Sequence, residues 1–208
     1  MVKFKKKSLS GSSKRWIQRH HNDDLVNKAR KLGYRSRAIF KLEEINNKLH
    51  FLNKNKNILD LGAAPGSWSQ YLSKQGFKNI VAVDVLEMNN VSNVKFILGD
   101  FTNEDIKKKI FEEFKKIDII ISDIASNTTG NKKLDSFKTN SICLDVLDFA
   151  TNNLENDGYV LAKYFNGELD KDIIEFSRNN FSKNKLLNLN LVEKTPKRCM
   201  FLLKNRKK

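Results

Sequence analysis

The stretch "ILDLGAAPGSWSQYL", Ile58 to Leu72, reads as a buried strand that breaks into a small-residue turn and then enters a helix. In an open α/β sheet the turn beyond the carboxyl end of the first strand is the usual ligand contact. Gly62, Ala64 and Gly66 keep it slim enough for main chain to approach a bound molecule, and Pro65, one of 2 prolines in the chain, stiffens it. Two acids follow at the ends of the next two strand patterns. Asp84 lies 22 residues after Gly62, where a carboxylate commonly takes a ribose hydroxyl pair, and Asp100 precedes the apolar Phe101. A carboxylate for a sugar, an acceptor for an exocyclic amine and an apolar wall for a ring together specify adenosine. The spacing is not that of a GxGxxG dinucleotide loop, whose pyrophosphate rests on the helix N-terminus. An adenosine cofactor without phosphate fits this GxxxG turn, its amino-acid carboxylate taking the helix end. That cofactor is S-adenosylmethionine.

These groups need a sheet to hold them together, and the chain supplies its pattern. From Asn57 onward short apolar runs alternate with helical ones. "NILDLG", "NIVAVDV", "VKFILGD", "IDIIISDI", "GYVLAKYF", "LLNLNLVE" and "CMFLL" predict seven strands. Helices are predicted near Trp68 to Lys74, Asn103 to Lys115, Ser136 to Asn153 and Asp170 to Phe181. Such alternation predicts an α/β domain with a mainly parallel seven-stranded sheet covered on both faces. The last two strands are separated only by a short turn around Pro196, so the final strand should be antiparallel.

Two helices should precede the sheet. Asn22 is placed to cap the first, with Asp23 and Asp24 in its first turn, Lys28, Arg30 and Lys31 in its last, and Gly33 to end it. In "SRAIFKLEEINNKL", Ala38, Leu42, Ile45 and Leu49 recur at helical spacing behind a Ser36 cap. The pattern alone makes the adjoining stripe of Arg37, Lys41, Glu44 and Lys48 a solvated face with a Glu44 to Lys48 pair.

Charge is unevenly placed. Residues 1–48 carry 14 Lys and Arg against 4 Asp and Glu, residues 194–208 carry 7 against none, and the centre is left at −2 of the total +15. A polyanion docked across the two ends is the partner this predicts. Trp16, Arg15, Arg19, Tyr34, Arg35 and Arg37 interleave planar and cationic groups suited to RNA stacking and phosphate contact. We read residues 1–21 as a basic arm, 22–204 as one domain and 205–208 as a basic tail; an organelle transit peptide is the alternative for the arm. Cys143 and Cys199 form no disulfide framework, and His20, His21 and His50 have no ligand cluster, so no metal is expected. No apolar run approaches the roughly 18 to 20 residues of a membrane span. A cytoplasmic monomer is expected.

"RSRAIFKL", "DLGAAPGSWSQYL", "GDF", "SDIASN" and "AKYFNG" together resemble the FtsJ/RrmJ family, the heat-shock ribosomal RNA 2'-O-methyltransferases, from about Lys14 to near the C-terminus. The resemblance implies a Rossmann-like methyltransferase fold and methylation of a uridine 2'-hydroxyl in large-subunit (23S) ribosomal RNA already assembled into particles. It also implies a catalytic set of Lys41, Asp123 and Lys163, and it adds Trp68 and Asp123 to the expected cofactor contacts. Arg15, Arg19, Arg35, Arg37, Lys197 and Arg198 are the expected RNA contacts. The family's fourth catalytic residue, a glutamate before the apolar part of the last strand, is Cys199 here; Ser67 and Ser126 are lesser departures. Three readings of Cys199 stand open: the other three residues suffice, Glu168 or Glu193 reaches in, or the chain is a catalytically weak RNA-binding assembly factor. A transfer-RNA or mRNA-cap 2'-O-methyltransferase would share the same chemistry.

A ribose 2'-hydroxyl is a poor nucleophile at neutral pH, whereas a sulfonium methyl is already activated. The protein must therefore orient the hydroxyl in line and help remove its proton. Lys163 is the candidate for that task. A cation at Lys41 favours its neutral amine and a carboxylate at Asp123 its charged form, which would still stabilise a developing alkoxide.

Overall fold

Asp23 caps the first helix, its carboxylate accepting from the Leu25 and Val26 N–H groups at 2.9 and 3.4 Å. It takes the role expected of Asn22, which lies outside the residues that this computed structural model describes, 23–188 and 198–205. Helix α1, Asp24–Lys31, has acid in its first turn and Lys28, Arg30 and Lys31 in its last, complementing the helix dipole. Gly33 then turns the chain with φ 68°, so that its N–H reaches the Arg30 carbonyl and that of Tyr34 reaches Ala29. Helix α2, Ile39–Leu49, begins later than a Ser36 cap would place it. The Ser36 hydroxyl instead accepts from the Ala38 N–H at 3.2 Å and meets the Ser67 hydroxyl at 2.7 Å.

The predicted alternation follows: β1 (Ile58–Leu61), α3 (Ser67–Lys74), β2 (Ile80–Asp84), β3 (Val94–Leu98), α4 (Glu104–Glu113), β4 (Ile117–Ser122), α5 (Lys132–Asn153), β5 (Leu154–Phe165), α6 (Asp170–Asn180), β6 (Phe181–Asn188) and β7 (Arg198–Asn205). The strands form one sheet in the order β3-β2-β1-β4-β5-β7-β6. All neighbours from β3 to β5 are parallel, and β7 is antiparallel to both β5 and β6. One strand lies elsewhere than expected: β6 starts at Phe181, directly after α6, rather than at Leu186. Ser182 to Leu186 are all exposed, so this edge strand lacks the apolar run by which the others are recognised. The turn around Pro196 lies outside the described residues.

Alternation along the strands divides the core between the two faces. Leu59, Leu61, Val83, Ile120, Ala162 and Tyr164 face the cluster built with α4, α5 and α6, while Ile58, Ile119, Ile121, Leu161 and Met200 face the one built with α1, α2 and α3. The order reverses between β1 and β4, and in open α/β sheets a ligand binds outside the carboxyl ends of the strands, in the crevice at such a point. No described helix is long and apolar enough to cross a membrane.

Candidate active site

The turn after β1 contains two glycines in left-handed backbone, each closely covered by a side chain from elsewhere in the fold. Gly62 has φ 70° and a Cβ there would stand 2.0 Å from Ile124 Cγ1; Gly66 has φ 94° and would meet Arg35 Nη1 at 2.4 Å. Between them the Ala64 N–H donates to Asp84 Oδ2 at 2.8 Å, while the Leu86 N–H takes Oδ1 at 2.8 Å. The acid at the end of β2 is thus knitted to the turn, and each oxygen retains a lone pair for a hydroxyl. Asp100 is exposed at the end of β3 and accepts from the Thr102 N–H and hydroxyl at 2.9 and 2.8 Å. Phe101 is buried and sets its ring against Phe149, centroids 6.0 Å apart.

Beneath the turn Asp60 is enclosed, taking the Ser69 hydroxyl at 2.6 Å. Burial pushes its carboxyl up to about 7 against the lowering effect of the Ser69 bonds, and the Asp123 and Asp84 charges add to the rise.

Trp68 and Arg35, both expected to touch ligands, engage the protein itself in this structure. Trp68 is buried against α2, with its indole N–H donated to the Ala38 carbonyl at 2.8 Å, so its ring is no wall for a cofactor. What it brings to the turn is a main-chain N–H in the first turn of α3, where helix amides lack a carbonyl four residues back. Arg35, expected on phosphate, gives Nη1 to the Pro65 and Asn89 carbonyls at 2.8 Å each and Nη2 to Asn90 at 2.7 Å. Its rigid planar fork ties the turn to the loop after β2.

Asp123, the first residue past β4, has its carboxylate between two ammonium groups. Lys41 Nζ, from the first turn of α2, lies 3.2 and 3.3 Å from its two oxygens. Lys163 Nζ, two residues before the end of β5, lies 3.0 Å from Oδ1 and donates to the Asp123 carbonyl at 3.1 Å. The register opposes Ser122 to Ala162, so Asp123 and Lys163 emerge side by side from neighbouring strands. The lysine side chains are only 8% and 9% exposed. Burial alone would raise the Asp123 carboxyl, but the Lys163 and Lys41 charges outweigh it and hold it below the usual carboxylate range.

This corrects the solvated-stripe expectation for α2. Lys41 and Glu44 are both buried, because α2 is covered on its flank as well as on the Ile39, Leu42 and Ile45 face. The Glu44 to Lys48 pair is present at 2.5 Å, and Glu44 Oε2 has no hydrogen-bond partner. Arg37 donates to Asp23 at 2.7 Å.

Cys199 is opposite Tyr164 in the β5–β7 register, whereas Lys163 is opposite Met200. Adjacent residues on a strand point to opposite faces, so Cys199 turns away from Lys163 into the cluster with Tyr164 and lies 3.8 Å from Asn166 Oδ1. Glu168 is exposed, its main chain bound to Ser136 and Asn140. Glu193, Arg15, Arg19 and Lys197 fall outside the described residues, and Arg198 is described only as a main-chain position in β7. Two residues near the site were not singled out by sequence: Ile124, which fills the space over Gly62, and the buried Asn140, one Asn in an Asn-rich chain.

The FtsJ-like methyltransferase family matches residues 34–206. The ribosomal RNA large subunit methyltransferase E of Francisella tularensis subsp. novicida is 41% identical over 180 residues, covering 85% of this chain and 87% of that protein. The protein of the same name from Sinorhizobium fredii is 39% identical over 187 residues, covering 87% and 76%. A solved structure described as a ribosomal RNA methyltransferase of Plasmodium falciparum superposes with TM-score 0.74 at 31% identity, over 83% of this chain and 98% of that one.

Proposed function

The chain belongs to the FtsJ-like methyltransferase family, and on that premise we propose that it methylates the 2'-hydroxyl of a uridine in 23S ribosomal RNA, acting on large-subunit particles. The observation that carries this reading is the Asp123 carboxylate held at 3.0 to 3.3 Å by the Lys163 and Lys41 ammonium groups, at the crevice beside the glycine turn.

The residues present fit S-adenosylmethionine: Asp84 has acceptor capacity for ribose hydroxyls, and the α3 N-terminus has amides for a carboxylate. When bound, that cofactor supplies the activated methyl group. Asp100 and Phe101 would then meet the adenine edge and face. The rest of the work falls to the chain. Lys163 aims the incoming 2'-hydroxyl, and its ammonium offsets negative charge on the oxygen as the hydroxyl proton passes to water. Asp123 holds both lysines to one geometry, and Lys41, anchored in α2, fixes the carboxylate from the other side. With Cys199 on the opposite face of the sheet, these three residues act without a fourth acid from β7.

RNA binding falls to the basic segments at the two ends, because Arg35 and Arg37 are engaged within the protein. The test is transfer of labelled methyl groups from S-adenosylmethionine to undermodified large-subunit particles, followed by alkaline hydrolysis. A 2'-O-methyl group blocks cleavage at its own nucleotide, so label in an alkali-resistant dinucleotide that begins with uridine is the expected result. Label in mononucleotides would mean base methylation. No transfer with RNA bound normally would make the chain a silent assembly factor.

A further inference from the structure

Beyond the Ser122–Ala162 pair β4 ends, and the last three residues of β5, Lys163 to Phe165, lose their neighbour on that side. A strand that runs on past its neighbour needs other groups for its N–H and C=O. A side chain does so here. Asn140, in the third turn of α5 and fully buried, accepts from the Phe165 N–H at 2.9 Å and donates to the Phe165 carbonyl at 2.7 Å, as a neighbouring peptide would. Its second N–H reaches the Glu168 carbonyl at 2.7 Å, and Ser136, one turn earlier, accepts from the Glu168 N–H at 3.2 Å. Both N–H groups and the oxygen of the carboxamide are thereby directed at the segment that follows Lys163.

We propose that Asn140 is a positioning residue for Lys163: its carboxamide replaces the missing strand and fixes the end of β5 at the spacing that keeps Lys163 Nζ on Asp123. The inference rests on the proposed methyl transfer for its kinetic consequence and on geometry alone for its structural one. A carboxylate at position 140 has no proton for the Phe165 and Glu168 carbonyls, and repulsion from those two oxygens draws it off the Phe165 N–H as well.

The same strand provides a matched control at its other end. Asn205, also buried, donates to the Leu154 and Glu155 carbonyls at 2.8 and 3.2 Å, where β5 begins. Asn140→Asp and Asn205→Asp break comparable buried bonds, only the first near Lys163.

Two measurements on the full-length chain test the assignment. The first is hydrogen exchange of the Phe165 amide, which needs no activity. It should accelerate in Asn140→Asp and remain as in wild type in Asn205→Asp. The second is methyl transfer to large-subunit particles. Asn140→Asp should lower kcat by roughly 10- to 100-fold, the scale of an ångström misplacement of a reacting group, with KM for RNA and cofactor affinity unchanged. Asn205→Asp should lose thermal stability and keep kcat. If Asn140→Asp does not fold, Asn140→Ser, which leaves room for water, takes its place with the same expectations. Equal kcat in the two variants, or unaltered Phe165 exchange, would overturn the assignment. A wild type that transfers no methyl group while Phe165 exchange responds would defeat the methyltransferase reading and leave the clamp standing.

Discussion

Replacing Asp123 with asparagine removes one charge and almost no volume, and it should cost the fold more than most single substitutions. Lys41 and Lys163 bring two ammonium groups into positions 8% and 9% exposed, and the Asp123 carboxylate lies within 3.3 Å of both. Without it two buried cations face each other across a neutral amide. Stranding one charge of a buried pair typically costs about 3 to 5 kcal/mol. The carboxylate is itself 18% exposed and water offsets part of the loss, so the lower figure applies. About 3 kcal/mol in a domain of this size lowers the melting temperature by roughly 6 to 12 °C. The sign with pH is fixed by the direction of the Asp123 shift. Its folded pKa is depressed, so its contribution is full above the unfolded carboxylate value of about 3.9 and fades as pH falls through the lower folded value. Urea denaturation of wild type and Asp123→Asn should therefore show a constant gap from about pH 5 to 8 that closes below about pH 4. Adding Lys163→Met to Asp123→Asn should restore part of the loss, because one buried cation rather than two then lacks the Asp123 charge. Identical midpoints for wild type and Asp123→Asn at neutral pH would refute the claim that this carboxylate holds the two lysines.

Asp60 responds in the opposite sense. Its folded carboxyl is raised to about 7, so folding is favoured by its protonated form and that advantage is lost as pH rises from about 4 toward 7. Asp60→Asn should therefore gain stability over wild type at pH 8 and much less at pH 5, by thermal melts in matched buffers. Gly62→Ala would place a methyl group 2.0 Å from Ile124 on a backbone at φ 70°. Calorimetry should show S-adenosylmethionine affinity reduced at least ten-fold, and unchanged affinity would remove the turn from the cofactor site. RNA affinity should fall steeply between low and moderate salt as phosphate contacts release counterions, whereas flat binding would contradict the role given to the charged ends.

The parts of this fold legible in the sequence are those fixed by local pattern. Parallel strands buried on both faces must be nearly continuous in Ile, Val and Leu, and β1, β2 and β4 are; the glycine turn and the acids at the next two strand ends follow from spacing. Three features were hidden, each for a physical reason. β6 is a half-exposed edge strand, so "FSKNKL" lacks the apolar run of an inner strand. Lys41 and Glu44 share a charged helical stripe that local pattern assigns to water, whereas in the fold Lys41 is buried against the distant Asp123. Arg35 and Trp68 have the chemistry of ligand contacts, and whether their polar groups meet a ligand or main-chain carbonyls is decided by loops 30 to 55 residues away in the chain.

The most direct test of the central claim, that Lys163 poised on Asp123 carries out methyl transfer, is single-turnover transfer to large-subunit particles by wild type and Lys163→Ala, with S-adenosylmethionine binding measured on the same samples. Loss of transfer by at least 100-fold, the general scale for removing one preorganised charge-stabilising group, with cofactor affinity retained, is the predicted result. Transfer by Lys163→Ala at the wild-type rate would contradict it.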